Sequence, residues 1–441
     1  MFQERLGSGR GDPNGLSLPI TTLSYIKQSE FAISCDDKRI IRECAKKLAE
    51  LASRPQEGEK KNLWYQHNRL ENARPLIVCD PENGWYTIIP YHQLKCKGDL
   101  ARIWEFRLRK EIFWGESMCD DKVIEAIFDV QYVYDETYFG QQLSVTATRD
   151  LDGAYTWDPI IKEYKDFDKL KFRETKIDFE RTRELFNLAK ETFGDILYIR
   201  MHGCFWWSLG MTTDLIKFRG MENMMTDMYE YPKELHRLMA FLRDDNLKRL
   251  NYLENEGVLT LNNAGNYVGS GGYGWTDELP ADIFNEEHVR TKDMWGFCES
   301  QETLMISPHM FDEFIYQYQR PIMERFGMNC YGCCEPVDKR WDIIVQTPRL
   351  RRVSVSAWAD IHDMAEKLQN KYIYSWKPRP SDLSIANIDK DMIRAYIRET
   401  IKATRGCVLE IIMKDNHTIG GNPQNVIDWT RIAMEEASAK P

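Results

Sequence analysis

The sequence predicts an α/β fold: a TIM (β/α)8 barrel with an N-terminal extension of helical and mixed structure. Between residue 195 and the C-terminus, apolar segments of strand length alternate seven times with amphipathic segments of helix length. An earlier apolar segment, residues 127–134, supplies an eighth strand. Eight parallel strands that are each followed by a helix form a barrel of about 250 residues, which matches this part of the chain.

Each predicted element follows from the local pattern. The predicted strands are residues 127–134, 196–203, 258–263, 294–299, 328–334, 352–358, 372–376 and 408–413. The helices predicted between the later strands are residues 180–193, 211–256 with a break at Pro232, 307–326, 341–346, 361–368, 389–404 and 423–437.

An open doubly wound sheet is the alternative architecture. It is disfavoured because no predicted strand runs into a Gly-x-Gly-x-x-Gly turn that opens a helix. The glycine-rich run at residues 269–274 also lacks the Lys-Ser/Thr pair of a phosphate-binding loop. We therefore expect that run to be a mobile active-site loop, with phosphate binding as a weaker alternative.

The chain divides into three predicted regions. Residues 1–34 are irregular and predict a flexible tail. Residues 35–180 predict an extension and cap that include the first barrel strand, with a helix that is capped by Asp36 or Asp37 and ends near Ser53. Residues 181–441 predict the main, catalytic part of the barrel.

Composition excludes several classes of protein. The formal charge of -10 and the pI near 5.5 argue against a nucleic-acid-binding protein. No run of eighteen apolar residues occurs, and the N-terminus lacks signal-peptide order, so neither a membrane span nor secretion is expected. The 11 cysteines lack the spacing of a disulfide scaffold, which predicts reduced thiols in a cytoplasmic protein. The oligomeric state, a homodimer included, is left open.

The most informative stretch is residues 328–336, an apolar strand that ends in two thiols and a carboxylate before a proline. Buried cysteines often serve only to pack a core, which is the structural alternative. A thiolate from Cys333 or Cys334, the Glu335 carboxylate and the His417 imidazole would instead hold zinc with one position open. Side-chain alternation favours Cys333, whereas a turn that begins at Cys334 would favour Cys334.

Other polar and aromatic side chains also follow predicted strands, where a barrel displays its reactive groups. The candidates for substrate binding in this set are His202, Asn263, Glu299, Gln301, Trp358 and Trp376. A hydrogen-bonded structural histidine is an equally good interpretation of His202.

Six motifs stand out in the second half: Ser-Pro-His-Met-Phe-Asp-Glu-Phe (307–314), Tyr-Gly-Cys-Cys-Glu-Pro (331–336), Arg-Arg-Val-Ser-Val-Ser-Ala-Trp-Ala-Asp (351–360), Ser-Trp-Lys-Pro (375–378), Lys-Asp-Asn-His-Thr (414–418) and Asn-Pro-Gln-Asn-Val (422–426). With these motifs the chain resembles the uroporphyrinogen decarboxylase superfamily, and more narrowly its zinc-dependent branch that methylates corrinoid proteins. In that branch a His-x-Cys pattern and a later cysteine hold the zinc. Here Tyr331 replaces that histidine and His417 replaces the later cysteine.

The resemblance implies a methyltransferase that demethylates a small methylated compound and passes the methyl group to a corrinoid. No Asp-x-His-x-x-Gly pattern occurs, so cob(I)alamin is expected on a separate corrinoid protein. Lys377, Lys414 and Tyr331 are then candidate proton donors. Tryptophans and tyrosines beside the strand ends, Trp207 and Tyr267 among them, suggest a pocket for a methoxylated aromatic ring.

Three alternatives remain at this point. An aromatic cage would suit a methylated amine. A decarboxylase of uroporphyrinogen-decarboxylase type would need an arginine-rich N-terminal signature, which residues 60–110 lack. A non-catalytic barrel that binds a ligand or partner would hold no metal.

Overall fold

The computed structural model describes residues 31–71, 74–147 and 155–439. The strands are β1 (Leu76–Cys79), β2 (Ile127–Gln131), β3 (Val133–Glu136), β4 (Val145–Ala147), β5 (Tyr155–Trp157), β6 (Thr175–Asp178), β7 (Tyr198–His202), β8 (Tyr267–Val268), β9 (Gly272–Tyr273), β10 (Trp295–Cys298), β11 (Met328–Tyr331), β12 (Leu350–Val355), β13 (Ile373–Trp376) and β14 (Val408–Met413). The α-helices are α1 (Cys35–Ala52), α2 (Pro55–Asn68), α3 (Trp85–Ile88), α4 (Asp99–Phe113), α5 (Phe179–Phe193), α6 (Thr212–Arg219), α7 (Met221–Glu230), α8 (Pro232–Asn255), α9 (Pro308–Phe311), α10 (Gln317–Met323), α11 (Trp341–Ile344), α12 (Ile361–Leu368), α13 (Lys390–Ala403) and α14 (Gln424–Ser438). Within these ranges, no helix is both long and apolar enough to cross a membrane.

The main sheet contains six parallel strands in the order β1-β14-β13-β12-β11-β10. A second parallel pair joins β2 to β7, and three antiparallel pairs join β3 to β6, β4 to β5 and β8 to β9. The prediction of a parallel α/β fold is therefore confirmed. In the described part of the chain, no ladder joins the two parallel sheets, so the closed eight-stranded barrel stays a prediction.

The main sheet contains one strand, β1, that the sequence analysis did not place there. Residues Leu76–Cys79 are fully buried and pair with the last strand, from Leu76 opposite Glu410 to Cys79 opposite Met413. The predicted strand at residues 127–134 divides, because β2 pairs with β7 whereas β3 pairs antiparallel with β6. Most of the predicted tail, residues 1–30, lies outside the described residues.

The predicted strand at residues 258–263 does not form a backbone ladder. The Asn262 side chain accepts a hydrogen bond from the Trp295 N–H at 2.8 Å and donates one to the Trp295 carbonyl at 3.0 Å. An amide side chain thus takes the place of a neighbouring strand, because it offers the same donor and acceptor as a backbone peptide.

The first helix begins earlier than predicted. Ser34, and neither Asp36 nor Asp37, is the N-cap, since its hydroxyl accepts from the Asp37 N–H at 3.1 Å. The Asp37 carboxylate accepts instead from the backbone N–H groups of Lys97 and Gly98. It therefore joins the helix to a distant loop.

The glycine-rich segment forms a buried hairpin of β8 and β9, residues 267–273, which we call the glycine hairpin. The sequence predicted a loop here, whereas the segment is a hairpin with a buried turn. A Cβ atom at Gly271, where φ is +111°, would lie 2.5 Å from Cγ2 of Ile412, and one at Gly272 would lie 2.5 Å from Cζ of Arg352. Glycine is needed because only a backbone without side chains fits this close to β12 and β14.

A buried ion pair connects the hairpin to the main sheet. Nε of Arg352 lies 2.9 Å from Oε1 of Glu410, and both side chains are almost fully buried. Nη2 of Arg352 also donates to the Tyr273 carbonyl at 3.3 Å, and Nε2 of His67 lies 3.0 Å from the Glu410 carboxylate. Burial alone would raise the pKa of Glu410, but Arg352 and His67 hold it well below its ordinary value.

We expect the substitution Arg352→Met to lower the free energy of unfolding by about 3–5 kcal/mol, because it leaves the Glu410 carboxylate buried without its cation. Urea unfolding followed by circular dichroism measures this loss. The matched control is Arg351→Met, since Arg351 pairs with the exposed Glu278 and should contribute about 1 kcal/mol or less.

The double substitution Arg352→Met/Glu410→Leu should recover much of the lost stability, because it removes both buried charges. The pairing should also weaken in acid, since a carboxylate with a lowered pKa stabilises the fold above its unfolded pKa and loses that effect as pH falls. Equal losses for Arg351→Met and Arg352→Met would contradict this account of the buried pair.

Candidate functional site

Two cysteines lie where the chain leaves β11. Gly332 follows this strand with φ of +91°, and a Cβ there would lie 3.2 Å from the Ser354 carbonyl, so the turn requires glycine. The turn carries Cys333 into a buried position and leaves Cys334 partly exposed. Both sulfur atoms thus lie at the carboxyl end of the parallel sheet, where α/β proteins bind their ligands.

The two sulfur atoms and one carboxylate form a compact group, which we call the thiol–carboxylate cluster: Cys333, Cys334 and Asp415. The sulfur atoms lie 3.6 Å apart, and the Cys334 thiol donates to Oδ2 of Asp415 at 3.2 Å. All three potential ligand atoms lie within 4.8 Å of one another. Asp415 follows β14 with φ of +60°, a left-handed conformation that aspartate tolerates better than most residues.

The dimensions and chemistry of this cluster suit a zinc ion. Two thiolates that bind one zinc tetrahedrally at about 2.3 Å lie about 3.8 Å apart, close to the observed sulfur separation. Thiolate and carboxylate oxygen are both ordinary zinc ligands, and three protein ligands leave a fourth position open.

Without a cation, the Cys334 thiol favours its protonated form. The hydrogen bond with Cys333, followed by burial, raises the pKa of Cys334. A bound metal ion replaces the thiol proton, so the site is suited to holding a cation rather than to acting as a free thiolate nucleophile.

The structure does not bring the other two predicted metal ligands to the cluster. The Glu335 carboxylate is fully buried and accepts from the backbone N–H groups of Ser300 at 2.9 Å and Cys333 at 2.8 Å. The His417 side chain is exposed to solvent. The carboxylate of the cluster comes from Asp415 instead, and the cluster contains both Cys333 and Cys334.

Lys414 lies beside the cluster. Its Nζ is 3.2 Å from Oδ1 of Asp415, 3.5 Å from Oε1 of Glu82 and 5.8 Å from the centre of the Trp207 ring. Burial would lower the pKa of Lys414, but Asp415, Tyr267 and Glu82 outweigh that effect and hold it well above its ordinary value. Lys414 therefore remains a protonated donor at neutral pH.

Lys377 lies deeper, at the end of β13. Its Nζ donates to the Ser375 hydroxyl at 2.6 Å, and that hydroxyl in turn donates to Glu410. Burial lowers the pKa of Lys377 to about 8, although the Glu410 carboxylate opposes the shift. Lys377 thus connects the site to the buried ion pair.

An aromatic cavity opens on the same side of the sheet. It is lined by His202, Phe205, Trp206, Trp207, Tyr267, Trp295 and Phe297, together with Thr260, Asn262 and Asn266. The cavity has a volume of about 50 Å³, which holds a few water molecules and would admit part of a ring. Trp207 packs against the same apolar cluster as Cys333 and Cys334, so the cavity and the thiols are neighbours.

The described residues that line this cavity carry no formal charge. Burial lowers the pKa of His202, whose Nδ1 lies 3.1 Å from the Thr260 hydroxyl, so the ring is neutral. Burial likewise raises the pKa of Tyr267 well above its ordinary value, which keeps its phenol protonated. The cavity therefore favours an uncharged, aromatic ligand.

The remaining predicted site residues lie outside the cavity. Tyr331 is buried and donates to Gln319 at 2.7 Å. Trp376 packs against Tyr396 of α13, on the helix side of the sheet. Trp358 is 74% exposed.

Three further predicted site residues hold loops in place. Asn263 donates to the Leu279 carbonyl at 2.7 Å. The Glu299 carboxylate accepts from the Gln301 N–H at 3.0 Å and from the Ser208 hydroxyl at 3.1 Å.

Sequence reasoning missed three residues of this site as functional candidates: Ser270, Glu82 and Asn266. Asp415 lies within the Lys-Asp-Asn-His-Thr motif (414–418), from which His417 was predicted as the ligand. Its position two residues after the last strand was the available signal. The run that contains Ser270 was predicted to be an active-site loop, but Ser270 itself was not selected, and nothing in the sequence near Glu82 indicated the site.

Comparisons with known proteins give a likeness of fold. No family model matches the chain, and no curated protein matches it. Among solved structures, it is similar to a methyltransferase from Methanosarcina mazei, with a TM-score of 0.50 and 11% sequence identity. The similarity covers 86% of this chain and 99% of that chain. At this level of identity, the two chains share a fold.

Proposed function

We propose that this protein is a zinc-dependent methyltransferase that demethylates a small methoxylated aromatic compound and passes the methyl group to a corrinoid protein. The observation that carries the proposal is the thiol–carboxylate cluster, Cys333, Cys334 and Asp415, beside an aromatic cavity with an uncharged lining. The fold shared with a methyltransferase supports it. A closed eight-stranded barrel is part of the same proposal.

The chemistry divides between bound groups and the residues of the chain. When bound, zinc supplies a Lewis acid for the ether oxygen, and a corrinoid on a partner protein supplies the nucleophile that accepts the methyl group. The carbon–oxygen bond breaks with its electrons on oxygen, so the leaving group is a phenolate. Lys414, held protonated beside the cluster, would stabilise the negative charge that develops on this oxygen.

The aromatic cavity orients the substrate. Trp207 lines the cavity, and its ring centre lies 5.8 Å from Nζ of Lys414, so a ring bound there would lie near both the ammonium and the cluster. The rings of the cavity also exclude water, which strengthens the interaction of the ammonium with a developing negative charge.

The uncharged lining of the cavity also bears on two alternative substrates, a methylated amine and the polycarboxylate of a decarboxylase. A quaternary or protonated amine would require a carboxylate or a cage beside it, and the described lining has no carboxylate. A substrate with several carboxylates, as a decarboxylase of the related type would bind, would need cationic groups there. The decarboxylase alternative gains no support from the cavity, whereas the aromatic rings of its lining would also suit a quaternary ammonium group, so a methylated amine is the second candidate substrate.

We expect about one zinc per chain in protein purified without chelator, and loss of that zinc in Cys333→Ala, Cys334→Ala and Asp415→Ala. The reason is that each substitution removes one of three ligands. Elemental analysis measures the metal, and circular dichroism verifies that each variant is folded.

The matched controls are His417→Ala and Glu335→Gln, which should keep their zinc because neither side chain places a ligand atom in the cluster: Glu335 accepts from backbone N–H groups, and His417 is exposed. Zinc lost from His417→Ala but retained by Asp415→Ala would contradict the proposed ligands.

We expect Lys414→Met to slow methyl transfer from a methoxybenzene to free cob(I)alamin by about 10²-fold or more, since loss of one donor to a developing oxyanion costs about that much. The rise of the methylcobalamin absorbance measures the rate. Lys371→Met is the control, because Lys371 is exposed and precedes the opposite end of β13. An unchanged rate in Lys414→Met with full zinc content would exclude Lys414 as the donor.

A further inference from the structure

The glycine hairpin has only one side chain in its turn. Of residues 269–272, three are glycines and the fourth is Ser270, which is buried. A Cβ at Gly271 or Gly272 would collide with Ile412 or Arg352, so the turn is fitted closely against the sheet. The position of Ser270 is therefore fixed by backbone contacts on both sides.

The Ser270 hydroxyl points at the thiol–carboxylate cluster. It donates to the sulfur of Cys333 at 3.3 Å. The hydrogen bond crosses between segments that are 63 residues apart in the chain. No local turn geometry accounts for it, since the hairpin must enter the interior of the fold for the two atoms to meet.

A second serine holds the same cysteine from the other side. The Ser354 hydroxyl, on β12, donates to the Cys333 carbonyl at 3.0 Å. Cys333 is thus fixed at its backbone by Ser354 and at its sulfur by Ser270. The two contacts differ in kind, because only the contact to sulfur changes when the sulfur becomes a metal ligand.

We propose that Ser270 is a positioning residue of the metal centre, whose hydroxyl orients the Cys333 sulfur towards a bound metal ion and stabilises its thiolate. This inference rests on the proposed zinc site. A hydroxyl that donates to a thiolate stabilises the charged form and limits rotation of the side chain, and such supporting hydrogen bonds typically change metal affinity by about 10–100-fold.

The inference gives the glycine hairpin a function. A hairpin needed only for packing could carry an apolar residue at position 270, since the neighbouring Gly269 and Gly271 lie close to the side chains of Cys330 and Ile412. A buried hydroxyl requires a partner, and the Ser270 hydroxyl donates to a sulfur atom of the cluster.

The test compares Ser270→Ala and Ser270→Gly with Ser354→Ala. Ser354→Ala is the matched control, because it removes an equally buried hydroxyl that bonds the same cysteine away from its sulfur. Zinc affinity is measured by competition with a chromophoric chelator on the purified full chain. Cobalt(II) substitution then gives a second readout, the sulfur-to-cobalt charge-transfer band.

We expect both Ser270 variants to bind zinc about 10–100-fold more weakly than the unmodified protein, and Ser354→Ala to remain within about threefold. The charge-transfer band should move to longer wavelength only in the Ser270 variants, because an unbonded thiolate gives up an electron more easily. Ser270→Gly keeps the test valid if Ser270→Ala fails to fold, since glycine suits the neighbouring turn positions.

If both Ser270 variants match the unmodified protein in zinc affinity and in the charge-transfer band, this inference is overturned while the zinc site stands. An equal loss of zinc affinity in Ser354→Ala would also overturn it, because the loss would then follow from removing any buried hydroxyl near Cys333. An unmodified protein that binds neither zinc nor cobalt would overturn the metal site itself, and the inference with it.

Discussion

The fold depends on one buried ion pair, Arg352 with Glu410. Two charges taken out of water are tolerated only when each is closely paired and hydrogen-bonded, so every group around them must keep its place. Here those groups come from distant parts of the chain: His67 from α2, Tyr273 from the glycine hairpin and Ser375 from β13. The pair therefore fixes the hairpin inside the fold, and the hairpin brings Tyr267 to the cavity and Ser270 to Cys333.

Charge is distributed unevenly across the site, and this distribution explains what the site can bind. Carboxylates near Lys414 keep it protonated, whereas burial lowers the pKa of Lys377 to about 8. The adjoining cavity is lined by neutral groups. In the proposed reaction, an uncharged ring would bind at this cavity, and the developing charge would be met by the Lys414 ammonium and by a metal ion held at the thiols.

The sequence predicted the parallel α/β class, because strand and helix periods alternate clearly after residue 195. It also predicted that the thiols at residues 333–334 lie at a strand end, and that His202, Trp207 and Tyr267 lie near a pocket. The sequence analysis did not predict contacts that depend on how the chain turns after a strand ends. The left-handed Asp415 directs a carboxylate to Cys334, while Glu335 turns to backbone N–H groups. It also failed at the glycine hairpin, since glycines that permit mobility equally permit close packing.

Zinc K-edge X-ray absorption of the zinc-loaded protein tests the central claim most directly, because it reports the atoms bound to the metal without requiring substrate or partner. The account predicts two sulfur ligands at about 2.3 Å and oxygen ligands at about 2.0–2.2 Å, with no imidazole scattering. A first shell without sulfur, or one with a clear imidazole contribution, would contradict a site built from Cys333, Cys334 and Asp415.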